Sequence, residues 1–295
     1  MNKLKEISEM NLKALAKINL SLDVVRRRED GYHEVRMIMQ TINLYDKLSL
    51  KKSSTPGIRL TTNAGFLPTD ENNLVYKAAK LLMDEFQVEE GIDIYLQKFI
   101  PVAAGMAGGS SDAAAVLFGV NRLFQLGLSK KELMKRGVKI GADVPYCIMR
   151  GTALAEGIGE KLTPLNPPPH CYVLIAKPNI SVSTKFVYEN LNANQLKVHP
   201  DIDGMIEEIN NNNLYGVAEK MGNVLETVTI KEYPIIEEIK NVMKEKGAVN
   251  AMMSGSGPTV FGLFETKEQA EEAYAAFQGK PEIQKLFVTT MYHNQ

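Results

Sequence analysis

The chain has 295 residues, 44% of them hydrophobic and 23% charged, with a formal net charge of −1 at pH 7. That length allows two modest domains, and the composition is that of a globular protein. No basic field invites nucleic acid or an anionic membrane surface, and a 7% aromatic content without tryptophan argues against a base-stacking platform. Cys147 and Cys171 make no Cys-x-x-Cys pair and are too few for a disulfide scaffold. Met1 to Met10 is charged and lacks the apolar core of a signal peptide, and no apolar run approaches the ~20 residues that span a bilayer. The cytoplasm is the expected location.

From Leu12 the chain alternates as a strand. Leu12, Ala14, Ala16, Ile18, Leu20, Leu22 and Val24 take one face, and Lys13, Lys17, Asn19, Ser21 and Asp23 the other, with Leu15 the apolar exception. Periodicity does not say whether the polar face meets water or lines a cleft. A basic turn, Arg26 to Gly31, leads through Tyr32 and His33 to further strand candidates at 35–44, 47–51 and 58–62. Helical spacing runs from Asp70 to Phe86, and the stretch 92–99 alternates again.

Next comes Pro101-Val102-Ala103-Ala104-Gly105-Met106-Ala107-Gly108-Gly109-Ser110-Ser111, followed by an alanine-rich helix that ends before Gly127. Ser110 or Ser111 is the expected N-cap. A strand, a glycine turn and a helix start aim free N–H groups and the positive end of a helix dipole at one point, which suits a phosphate. Neither the Walker A pattern nor the dinucleotide pattern Gly-x-Gly-x-x-Gly is present, so this is a different phosphate loop.

Ser129 to Glu132 reads as a capping box, with the turn Gly141-Ala142-Asp143-Val144-Pro145 beyond it. The proline-rich stretch 162–170 is the best boundary, dividing the chain into 1–162 and 163–295. After it, a strand at 172–176 and helices at 184–191, 201–209 and 234–246 precede a second glycine loop, Ser254-Gly255-Ser256-Gly257-Pro258. A strand at 259–264, a helix capped by Thr266 and a strand at 286–291 close the chain. Interleaving without strict β-α-β repetition reads as two α+β sandwiches.

Four features have both a plain and a chemical reading. Lys17 on a strand face is ordinarily solvated. Asp143 two positions before a proline is ordinarily a helix cap. Tyr32-His33 fits a packed turn, and the loop 254–257 a tight hairpin. Taken together, a phosphate loop, an acid, a lysine and a second glycine loop are the parts needed for phosphoryl transfer, which asks mainly for positioning and charge neutralisation.

The string 101–111 resembles the central motif of the GHMP small-molecule kinases. Ala16-Lys17-Ile18-Asn19-Leu20, Asp30-Gly31-Tyr32-His33, the 141–145 turn and Met253 to Thr259 extend the likeness in order along nearly the whole chain. Within that family the likeness is greatest to the branch acting on 4-diphosphocytidyl-2-C-methyl-D-erythritol. The resemblance implies a two-domain α+β architecture: an N-terminal domain like domain 2 of ribosomal protein S5, a C-terminal ferredoxin-like domain, and the active site between them. It implies ATP-dependent phosphorylation of the substrate's 2-hydroxyl, with Mg2+ as companion ion and its ligands unassigned. Asp143 is then the general base and Lys17 its partner on the transferred phosphoryl group. Asn19 holds the substrate, residues 101–111 wrap the ATP phosphates and Asn73 contacts adenine. Tyr32 and His33 read cytosine, with Tyr188 on its other face and Phe186 the competitor there. Gly255, Ser256 and Gly257 lie against the diphosphate. Two departures stand out. Ala107 replaces a common glycine, so its methyl fits only at negative φ. Asp112 follows the second serine, where it favours the helix N-terminus or joins a magnesium ion. The stretch Met1 to Glu6 has no assigned role.

Overall fold

The computed structural model describes residues 7–293, so Met1 to Glu6 lies outside the described residues. In chain order the elements are β1 (Glu9–Arg27), β2 (His33–Ser53), β3 (Ile58–Thr62), α1 (Leu74–Glu85), β4 (Gly91–Gln97), α2 (Gly108–Leu123), α3 (Lys130–Gly137), α4 (Val144–Met149), β5 (Thr152–Gly157), β6 (Lys161–Leu165) and β7 (Tyr172–Pro178). They continue with α5 (Thr184–Asn190), α6 (Ile202–Asn210), α7 (Leu214–Glu219), β8 (Gly222–Asn223), α8 (Glu226–Glu232), α9 (Ile235–Glu245), β9 (Asn250–Met253), β10 (Val260–Phe264), α10 (Lys267–Phe277) and β11 (Ile283–Thr290).

Contacts divide the chain into two compact units, and β1 and β2 run through both. Among the described residues the first unit comprises 7–16, 44–100 and 107–149; the second comprises 17–43, 101–106 and 150–293. This division differs from a single cut at 162/163, a position that falls within β6 and its antiparallel pairing with β5. Pro164 is tolerated there because β6 is an edge strand, where a missing N–H costs no ladder bond.

In the first unit β4 pairs antiparallel with β2 over 47–53 and parallel with β3. Alternation places Leu48, Leu50, Ile92, Ile94 and Leu96 inward, where they are buried with Ala78, Leu82, Val116, Leu117 and Val120 of α1 and α2. Burial of each of these leucines, isoleucines and valines contributes roughly 1.5–3 kcal/mol. The capping box at Ser129 is formed as expected. Two strand candidates, 35–44 and 47–51, are one continuous strand, because polar Asp46 between them is itself buried.

In the second unit β7, β9, β10 and β11 form an antiparallel sheet in the order β11-β7-β10-β9. With α9 before β9 and α10 after β10, this is the ordering of a ferredoxin-like βαββαβ unit. The short elements α7, α8 and β8 carry too few residues to announce themselves by periodicity.

The start of α2 corrects two expectations. The helix opens at Gly108, and its N-cap is Ala107 rather than Ser110 or Ser111. Ala107 stands at φ 53°, ψ 30°, in the left-handed region, and not at the negative φ its methyl would prefer. The reversal into the helix needs that conformation, which costs an alanine roughly 1–2 kcal/mol. We therefore expect Ala107→Gly to relieve this strain, partly offset by about 0.4–1 kcal/mol of added freedom in the unfolded chain. Denaturant unfolding should show a variant as stable as the parent or up to about 1 kcal/mol more so; a clear loss would contradict the left-handed assignment.

Candidate functional site

In the second unit, β1 turns its polar face inward. Lys17 is only 5% exposed and Asn19 fully buried, so the solvated reading of Lys17 does not hold. The Lys17 Nζ donates to Asn19 Oδ1 at 2.7 Å and to the Gly105 carbonyl at 3.1 Å, while its backbone N–H donates to the Met106 carbonyl. Asn19 Nδ2 donates to the Met37 sulfur at 3.2 Å, a weak acceptor. The Ser254 hydroxyl also donates to the Gly105 carbonyl, at 2.9 Å. Gly105 has φ 73°, and a Cβ there would run into the Ser254 carbonyl. Side by side, the two glycine loops touch backbone to backbone, with the Lys17–Asn19 pair against them.

The second loop is held from both flanks. Asn223, the second residue of the two-residue strand β8, donates to the carbonyls of Met253 and Gly255 at 2.9 and 2.8 Å. The Thr184 and Ser256 hydroxyls are hydrogen-bonded at 2.8 Å, tying α5 to the loop. Sequence reasoning missed Asn223, since no motif marks a residue whose strand exists only through its pairing with β1.

The His33 and Tyr188 rings meet at 5.1 Å between centroids, tilted by 41°. Of the two aromatic candidates in α5, Tyr188 is thus the one against His33. Burial, then the charge of Arg27, lowers the His33 pKa, so at neutral pH the ring presents one donor and one acceptor. Tyr32 is 61% exposed.

In the first unit the leading turn of α2 gathers the remaining candidates. It has no side-chain cap, which leaves N–H groups open. The Ser111 hydroxyl turns away and donates to the Leu15 carbonyl at 2.7 Å. A Cβ on Gly109 would stand 3.5 Å from Leu74, and one on Gly141 3.9 Å from the Ser110 hydroxyl. The start of α1 and the 141–143 turn therefore adjoin the α2 N-terminus. Asp143 is half-buried at the entry to α4, where its carbonyl accepts from the Cys147 N–H. Among the described residues its carboxylate makes no hydrogen bond or ion pair and is available to a ligand. Asn73 is the N-cap of α1, accepting from the Val75 N–H and donating to the Pro68 carbonyl, so both ends of its carboxamide are engaged.

Asp112 takes neither of its expected roles. It lies one turn inside α2, is buried, and pairs with the Lys98 ammonium at 2.7 Å. Lys98 also pairs with buried Asp46, whose other oxygen accepts the backbone N–H groups of Phe99 and Ile100 at 2.5 and 2.8 Å. Among the described residues Asp112 Oδ1 has no partner. Burial, then the charge of Asp46, pushes the Asp112 carboxyl up to about 8 against the pull of Lys98. A carboxyl with a raised folded pKa contributes stability that is complete below about 3.8 and is lost as pH rises through about 8. Relative to an Asp112→Asn variant, the parent should therefore lose thermal stability from pH 4 to pH 8, as read by calorimetry across that range. A constant difference would contradict the shift.

Residues 73–151 match the GHMP kinases N terminal domain, and residues 205–282 match GHMP kinases C terminal. A 4-diphosphocytidyl-2-C-methyl-D-erythritol kinase of Lachnoclostridium phytofermentans is 57% identical over 286 residues, covering 97% of this chain and 98% of that protein. One of the same name from Lachnospira eligens is 57% identical over 97% of this chain and 99% of its own length. The crystal structure of a 4-(cytidine 5'-diphospho)-2C-methyl-D-erythritol kinase superposes with a TM-score of 0.84 at 30% identity, covering 97% of this chain and all of that one. The uncapped helix start and paired glycine loops thus sit within a two-domain α+β kinase fold, and the chain belongs to the GHMP kinases, a family of small-molecule kinases.

Proposed function

We propose that the chain transfers the γ-phosphoryl group of ATP to the 2-hydroxyl of 4-diphosphocytidyl-2-C-methyl-D-erythritol, in the non-mevalonate isoprenoid pathway. The observation carrying this reading is the near full-length identity to relatives named for that substrate. Residues 1–162 are assigned to ATP, with Asn19, Tyr32 and His33 lent to the second substrate, and 163–295 to the rest of that substrate's contacts. Asp143 takes the proton of the attacking hydroxyl as its oxygen bonds to the γ-phosphorus, and the bond to the β-phosphate oxygen breaks to release ADP. Its unpartnered carboxylate supports that role. Lys17 offsets charge on the transferred group, and Asn19 steadies the acceptor beside it.

Residues 101–111 wrap the polyphosphate, helped by the open N–H groups of α2, with Asn73 near adenine. Tyr32 and the neutral ring of His33 read cytosine, and Tyr188 supports them. As the rings of His33 and Tyr188 touch, the base lies beside that pair rather than between its members. Gly255, Ser256 and Gly257 receive the substrate's diphosphate. Mg2+ is the proposed companion ion; the described residues hold no cluster of three or more His, Cys, Asp or Glu groups, in keeping with an ion held chiefly by the substrate's phosphates. No described helix is long and apolar enough to cross a membrane, in keeping with a cytoplasmic assignment.

Two experiments test the reading. Asp143→Asn should lower kcat by about 10²–10⁴ with ATP affinity nearly intact, and Lys17→Ala should show a comparable loss. Near-normal turnover in a coupled ADP-release assay would remove the residue from the mechanism. Replacing cytosine by uracil in the acceptor should reduce kcat/KM by about 10⁴-fold or more if the ring edge is read by buried groups. Equal turnover would argue for a different alcohol.

A further inference from the structure

We infer that the buried Asp46–Lys98–Asp112 cluster is a positioning device for the nucleotide's polyphosphate, setting the angle at which the first turn of α2 presents its N–H groups. The inference rests on the proposed reading that this turn receives the ATP phosphates.

The cluster touches the chain immediately before and immediately after the glycine loop. Asp46 accepts the N–H groups of Phe99 and Ile100, where the chain leaves β4. Asp112 is anchored in the second turn of α2. Lys98 bridges the two carboxylates, and its Nζ would lie 3.2 Å from a Cβ placed on Gly108, directly under the helix opening. The exit of β4 and the entry of α2 are thereby fixed to one buried cation. Such a cluster is poorly explained as a source of stability. Replacing buried ion pairs by apolar groups is often neutral or stabilising, while their retention can specify one geometry. Asp112 Oδ1, buried without a partner among the described residues, adds cost that packing alone would not require.

Asp112→Ala removes the helix-side anchor while leaving the balanced Asp46–Lys98 pair, so the fold should survive. Asp112→Asn keeps an oxygen acceptor for Lys98 and serves as the conservative rescue. We expect Asp112→Ala to weaken ATP and inorganic tripolyphosphate by the same factor, about tenfold, in isothermal titration. Its kcat and its KM for the alcohol should stay within about threefold of the parent, and Asp112→Asn should bind both probes nearly as the parent does. A fall in melting temperature with unchanged affinity for both probes would reduce the cluster to a structural role and overturn the inference. Failure of tripolyphosphate to compete with ATP in the parent protein would instead overturn the phosphate-site reading itself.

Discussion

One carbonyl oxygen, that of Gly105, receives both the Lys17 ammonium and the Ser254 hydroxyl. Through it, β1, the segment before α2 and the loop between β9 and β10 become a single local framework. The arrangement demands glycine at 105, since any side chain would collide with the Ser254 carbonyl. It also leaves the lysine in an unusual electrostatic state. Its protein partners are neutral oxygens, of a carbonyl and a carboxamide, so no carboxylate among them cancels its charge. A cation removed from water and left unneutralised is poised to favour an anion brought beside it.

Lys98 is treated in the opposite way. Burial disfavours its charge, and Asp112 and Asp46 outweigh that penalty and raise its pKa. Two buried lysines thus serve different ends within one chain. The first keeps an open field, and the second has its field extinguished by its neighbours. This contrast fits a chain of net charge −1 to the two polyanions of the proposed reaction. The positive potential is local, and burial strengthens it where it is left uncompensated.

Much of this was legible in the sequence, for identifiable physical reasons. Strand alternation, the Ser129 and Thr266 capping boxes and the glycine loops are local signals, and they led to the right elements. Burial of the polar face of β1 was not readable, because alternation reports two faces without saying what covers each. Asp46 and Lys98 did leave a trace. Asp46 shares the phase of Leu44, Leu48 and Leu50, and Lys98 that of Ile92, Ile94 and Leu96. The register pairing 47 with 97 sets 46 opposite 98 at its next step. Two opposite charges in the apolar phase of paired strands amount to a buried ion pair written in sequence, though the pairing itself is tertiary information. Asn223 left no such trace, since its strand is two residues long.

The leading turn of α2 carries this logic furthest. Three residues able to cap or neutralise it follow in succession, Ser110, Ser111 and Asp112, yet none of them caps the helix. Ser111 donates to the Leu15 carbonyl, Asp112 is held by Lys98, and the capping position itself is an alanine in a left-handed conformation. An uncapped N-terminus forgoes about 0.5–2 kcal/mol, and the left-handed alanine adds to that cost. Packing does not call for either penalty. Both are understandable if the open N–H groups are reserved for a ligand whose charge a side-chain cap would have displaced. A carboxylate left free at Asp112 would compete with that ligand for the same positive end of the helix. Burying it, pairing it with Lys98 and raising its pKa removes the competitor while keeping the anchor.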